Sequence, residues 1–232
     1  MTPLLPLALA CVLAPAQDDK PEPLRYMRQS GAKFVLESEI TITPTERGTL
    51  YKSTTTRKTE LGDEKMTLTL QLDENNRITS AETVHETPKG KKTAMLTLRD
   101  KHAFLKRAGT TDLLNKVAAF PIVTTAPDWS DVIQLITRYD AKKGGVQEFG
   151  GVWFHPTAQP ATPTFTIERL GPDKIKMKDA EVTLNRYQVK LRSGEYLAWA
   201  DEENRVIKIL SRAAGSSPIV LEGYEEATRE LK

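Results

Sequence analysis

The feature that most constrains this chain is a period-two alternation of apolar and polar side chains that recurs along two long stretches. Met66, Leu68, Leu70 and Leu72 alternate with Thr67, Thr69 and Gln71. Phe34, Leu36, Ile40 and Ile42 share one face of a segment whose other face carries Glu37, Glu39, Thr41 and Thr43. Successive side chains on a strand point to opposite sides, so each run predicts a strand with one greasy and one wet face. Similar strands are expected around 76–86, 91–99 and 102–107, separated by turn residues at Thr87-Pro88-Lys89-Gly90 and Asp100-Lys101. The alternation resumes over Val146–His155, Thr164–Leu170, Lys174–Lys178, Glu181–Arg192, Glu195–Ala200, Arg205–Arg212 and Pro218–Ala227. Half-wet strands joined by tight turns build antiparallel sheet. No repeat of fixed short period is present, which argues against propellers and solenoids.

The middle of the chain reads differently. Asp112–Ala119 is expected as a short helix carrying Leu113, Leu114, Val117 and Ala118. A better helix is expected over about Asp128–Lys142, with Asp128 and Asp131 at its positive end and Lys142-Lys143-Gly144-Gly145 closing it. Trp129, Val132, Ile133, Ile136 and Tyr139 follow at spacings of three and four, which places them on one face. The apolar face of the sheet is where such a stripe would lie. His155–Pro163 holds three prolines and reads as a loop outside any ladder. Residues 17–31 read as a polar tether, and 32–232 as one β domain.

Composition removes several classes of function. The chain carries 33 Lys and Arg against 31 Asp and Glu, a net of +2, so nothing draws it to nucleic acid. Met1–Ala16 lacks charged side chains, is mostly apolar from Leu4 to Leu13, and ends at Ala14-Pro15-Ala16, the small-x-small pattern of a signal peptidase site. Export to the periplasm or the exterior is therefore expected. A lipid anchor at Cys11 is the lesser alternative, since Ala8 stands where a lipobox has leucine. The run is shorter than the about 20 residues a membrane-spanning helix needs, and no other segment reaches that length. Cleavage would leave a chain without cysteine, held by its core alone.

No catalytic or metal motif stands out. The three histidines, His85, His102 and His155, lack ligand spacing, so no metal and no cofactor are expected. Gly144-Gly145 and Gly150-Gly151 read as cap and bulge glycines. Glu37, Glu39, Glu82 and Glu168 read as solvated surface. Lys174, Lys176 and Lys178 read as the exposed face of a strand, discouraging edge pairing. Trp153 and Trp199 lie in strands and read as core filling. Asp73-Glu74-Asn75-Asn76-Arg77-Ile78 and Asp201-Glu202-Glu203-Asn204-Arg205-Val206 echo each other, with Asn76 and Asn204 suited to a left-handed turn position.

The stretch Arg186-Tyr187-Gln188-Val189-Lys190-Leu191 followed by Gly194-Glu195-Tyr196-Leu197-Ala198-Trp199-Ala200-Asp201 is similar to the closing strands of exported bacterial proteins without assigned activity. With the leader, the meanders and the interposed helix, residues 33–227 resemble the periplasmic lipoprotein-carrier half-barrels, the LolA- and LppX-like proteins. The resemblance is architectural and carries no signature residue. It implies a mainly β fold: a single curved antiparallel sheet with the amphipathic helix packed on its concave face. It also implies an exported, non-enzymatic binding protein with an apolar cavity for a lipid or similar ligand. Phe34, Leu36, Ile40, Met66, Leu68 and Leu70 would line that cavity, with Trp129, Ile133 and Ile136 as its lid. The competing expectation is an envelope module with a solid core, meeting a protein partner at its surface. A hydrolase with unpaired carboxylates ranks third.

Overall fold

A computed structural model describes residues 21–99, 101–125, 129–177 and 180–228. The expected signal segment, Cys11, Asp128 and Lys178 lie outside these residues. The first half runs β1 (Leu24–Ser30), β2 (Lys33–Thr45), β3 (Gly48–Thr59), β4 (Gly62–Leu72), β5 (Ile78–Thr87), β6 (Gly90–Arg99), β7 (His102–Arg107) and β8 (Thr110–Asn115). Then come β9 (Ile122–Thr124), α1 (Ser130–Arg138), β10 (Val146–His155), β11 (Ala158–Ala161) and β12 (Thr164–Lys176). The chain ends with β13 (Glu181–Leu191), β14 (Gly194–Ala200), β15 (Val206–Ser211), β16 (Ile219–Leu221) and a 3-10 turn at Glu225–Thr228.

The strands form one wide, curved, unclosed sheet in the order β11-β10-β12-β13-β14-β15-β16-β1-β2-β3-β4-β5-β6-β7-β8. Every pairing along that path is antiparallel, and β9 adds a short parallel pairing to β10. The sheet is a half-barrel with α1 on its concave face. First and last strands meet in its middle: β1 is hydrogen-bonded to both β16 and β2, which joins two meanders into one sheet. No ladder joins the outer strands β8 and β11 among the described residues; the Arg107 guanidinium of β7 instead donates to Ala158 O and Gln159 Oε1 of β11.

The echoed turns use one solution twice. Asp73 Oδ1 accepts from the amides of Asn75 and Arg77, each at 2.9 Å, and Oδ2 from Arg77 Nε at 2.7 Å. Asp201 does the same with Glu203 at 3.1 Å, Arg205 at 2.8 Å and Arg205 Nε at 2.9 Å. Asn76 and Asn204 take left-handed φ values of 58° and 62°. The Arg77 amide, above all, holds the Asp73 carboxyl below its ordinary range.

Several expectations need correcting. Residues 24–30 of the expected tether form β1, with Tyr26 fully buried and its hydroxyl on Val206 O at 3.1 Å. Strand β3 escapes the alternation because its buried positions include Ser53 and Thr55, which do not register as apolar. Asp112–Ala119 is not helical: 110–115 is the outer strand of a hairpin with β7, where cross-strand bonds satisfy the backbone and Leu113 stays exposed. The proline-rich loop contributes β11, whose Pro160 is tolerated on an edge. Lys174 and Lys176 lie where β12 outruns β10 and pairs with β13 alone.

The helix is shorter than expected. It ends at Tyr139, which is extended, because the Asp140 carboxylate takes the amides of Lys142 and Lys143 in a separate turn. Gly144 and Gly145, with φ of 64° and 60°, lead that turn into β10 and do not cap the helix. Trp129 precedes the helix without a side-chain cap bond. Val132, Leu135 and Ile136 are its buried face. Rings fasten both ends to the sheet: Trp129 against Tyr196 and Tyr139 against Tyr187, each edge-on at 5.6 Å between centroids. Gln134 stands in for a strand, accepting from the Val123 amide at 3.1 Å and donating to Val123 O at 2.8 Å.

Candidate functional site

Among the described residues a cavity lies beside each end of the helix. That at its N-terminal end has a volume of about 640 Å³ and includes Trp129 and Asp131 in its lining. That at its C-terminal end measures about 430 Å³ and is bounded by Ile42, Tyr51, Leu72, Phe120, Ile133 and Arg138 among others. Both exceed the roughly 300 Å³ at which a pocket accommodates a small ligand. Between them Val132, Leu135 and Ile136 close the trough.

A bulge opens the larger cavity. Tyr26 pairs with Ser38 and Met27 with Leu36, which leaves Glu37 without an opposite residue on β1. The extra residue turns the Glu37 side chain inward, where it is 14% exposed. Arg28 grips it through Nε and Nη2, and Trp129 Nε1 donates to its Oε1 at 3.3 Å. The last pair between β2 and β3 is Ser38 with Thr55. Strand β3 continues beyond it, and Arg57 there reaches the cavity. Glu37 is therefore not the solvated carboxylate that the alternation predicts.

The other wall is aromatic. Trp153, Phe165 and Tyr196 line it, with Ile219 nearby. Phe165 fits because β10 carries glycine beside it: a Cβ on Gly151 would overlap the Phe165 ring. Gly150 likewise abuts Ala118, so this pair serves close packing and is neither cap nor bulge. Arg192 lies 4.3 Å above the Trp153 ring, and the Tyr196 hydroxyl donates to Ser193 Oγ at 2.9 Å. Asp131, buried at the helix start, accepts from Thr124 Oγ1 at 3.2 Å and from the Val132 amide at 2.8 Å. Thr125 lines the same cavity at 1% residue exposure, and its buried hydroxyl has no hydrogen-bond partner among the described residues.

The expected cavity residues scatter. Trp129 lines the larger cavity and Ile133 the smaller. Ile40, Met66, Leu68, Leu70 and Ile136 are buried in the core and border neither cavity. Phe34 packs partly buried against that core, whereas Leu36, next to the bulge, is 44% exposed. Trp199 is buried, donating from Nε1 to Asp173 at 3.0 Å. Sequence reasoning missed Glu37, Arg28, Arg57, Arg192 and Thr125. The pairing register, invisible in one strand, reveals Glu37, and the others come together only in the folded sheet.

Two histidines distant in sequence meet: the His85 and His155 rings lie 5.2 Å apart, edge to face. Glu64 comes within 3.9 Å of His85, and Trp153 stacks on His155 at 6.2 Å. Burial, then the neighbouring His85, lowers the His155 pKa from its ordinary value. Among the described residues no three His, Cys, Asp or Glu side chains are grouped to hold a metal. No helix among them is long and apolar enough to cross a membrane.

The sequence matches no protein-family profile and no curated protein. In structure it is similar to a DUF1089 family protein from Pseudomonas aeruginosa, with a TM-score of 0.51 and 14% identity, over 77% of this chain and 92% of that one. At that identity the likeness is one of fold alone.

Proposed function

We propose that this protein is a non-enzymatic binding protein that takes a ligand with an apolar body into the 640 Å³ cavity. One observation carries the reading: four aromatic side chains, Trp129, Trp153, Phe165 and Tyr196, line a cavity of ligand size beside the docked helix. A module with a solid core has no use for such a space. The cavity's two carboxylates, Glu37 and Asp131, are both engaged by hydrogen-bond donors, which suits a binding wall better than a general base. The leader-like Met1–Ala16 supports export, placing the ligand in the periplasm or outside the cell.

The test is a tryptophan-fluorescence titration with 1-dodecanol, a neutral amphiphile, held below its aggregation limit. The expected result is a saturable change with one site per chain, reduced when Trp153 is replaced by Phe. Absence of saturable binding by any single-chain amphiphile, charged or neutral, overturns the proposal and leaves the structural module.

A further inference from the structure

We infer that the ligand of the larger cavity is an anionic amphiphile, its carboxylate or phosphate head held by Arg57, Arg192 and the Thr125 hydroxyl. The inference rests on the binding reading above and adds the chemistry of the head group.

Charge is the first argument. Three arginines and two carboxylates line the cavity. Arg28 is matched by Glu37, and Asp131 is satisfied by a hydroxyl and an amide. Arg57 and Arg192 remain, and among the described residues neither is ion-paired with an acid. They reach the cavity from β3 and from the β13–β14 turn, on either side of β16 and β1. A cavity rim with two guanidinium groups outside any ion pair among the described residues attracts an anion, and one whose own body covers the mouth also strengthens that attraction by excluding water.

Geometry is the second. Arg192 lies over the Trp153 ring, which fixes the plane of its guanidinium and leaves the edge N–H groups to grip two oxygens of one head group. Phe165 and Tyr196 line the same cavity and offer apolar surface to the ligand body, so head and tail sites adjoin.

A buried hydroxyl without a partner costs stability, and native proteins seldom leave one without a reason. Thr125 is such a group, and it lines this cavity. Its neighbour Thr124 pairs with Trp153 in the β9–β10 register, and Thr125 and Arg192 both line the cavity. A head-group oxygen accepting from the Thr125 hydroxyl supplies the missing partner.

The experiment compares dodecanoate, dodecyl phosphate, 1-dodecanol and dodecyltrimethylammonium as monomers, read by tryptophan fluorescence and calorimetry. Charge-assisted hydrogen bonds predict that an anion binds at least about tenfold more tightly than the alcohol, and the cation most weakly. The dodecanoate and dodecyl phosphate arms decide which head group is preferred. Arg57→Gln and Arg192→Gln should each reduce the anion-to-alcohol ratio about tenfold, and Arg192→Lys should restore part of it. Thr125→Val should lower anion affinity several-fold while the melting midpoint holds or rises, since an unpartnered hydroxyl is removed. Lys89→Gln, in an exposed turn, controls for general charge. Equal affinity for dodecanoate and dodecanol in the wild type overturns the inference and leaves the binding reading intact. Failure of all four probes overturns both.

Discussion

Replacing Ile136 and Ile133 separately by alanine asks whether α1 is a fixed wall or a lid. Ile136 is 1% exposed among Val132 and Leu135, whereas Ile133, at 9%, borders the 430 Å³ cavity. Each change deletes three carbons, worth about 0.8 kcal/mol apiece when fully buried, or about 2.4 kcal/mol. At Ile136 the void is enclosed, and a residual cavity of about 40 Å³ adds about 1 kcal/mol at about 24 cal/mol per Å³. The expected total is about 3.5 kcal/mol. At Ile133 the truncation only enlarges an existing space, so the cost should be about 1–1.5 kcal/mol. With an m-value of about 3 kcal/mol/M, the urea midpoints fall by about 1.2 M and about 0.4 M respectively. Equilibrium denaturation followed by far-ultraviolet circular dichroism measures both. Equal shifts refute the assignment of the two residues to core and cavity. Losses below about 1 kcal/mol in both refute the fixed wall and make the helix a lid.

Gln134→Ala removes both partners of the buried Val123 backbone and should cost about 2–4 kcal/mol, with faster amide exchange at Val123; an effect within about 0.5 kcal/mol rejects the strand-mimic role. Gly151→Ala drives a methyl into the Phe165 ring and should destabilise by about 1–3 kcal/mol, and a neutral result would mean that Phe165 can swing away into the cavity. Burial, followed by His85, lowers the native pKa of His155, so the unfolded chain takes up the proton first. Stability from this group is complete above the unfolded value of 6.5 and is lost as pH falls from there through the native value. The Thr157 amide and hydroxyl at Nδ1, Glu64 beside His85, and Arg192 over Trp153 are the other groups that set this balance. His155→Asn should flatten the denaturation midpoint between about pH 7.5 and about pH 5.5, and an unchanged slope would assign the acid sensitivity elsewhere.

Much of this architecture is legible in the residues themselves. Alternation such as Met66 to Leu72 is a local property, because the pleat alone sends neighbouring side chains to opposite faces. The left-handed positions at Asn76 and Asn204 and the helical stripe around Val132 and Ile136 are local as well. Strands whose inward positions are hydroxyls, like β3, carry no such signal, and β1 is recognisable only once β16 and β2 flank it. The site lies further from the sequence still. Glu37 reads as a solvated carboxylate until the register with β1 shows that it is the unpaired residue of a bulge. Arg57, Arg192 and Thr125 come from segments far apart in the chain and share a cavity only because the sheet curves around a helix that fills part of it. Strand facing is decided residue by residue, but a bulge needs two strands and a cavity needs the whole packed surface, so those were settled by tertiary structure alone.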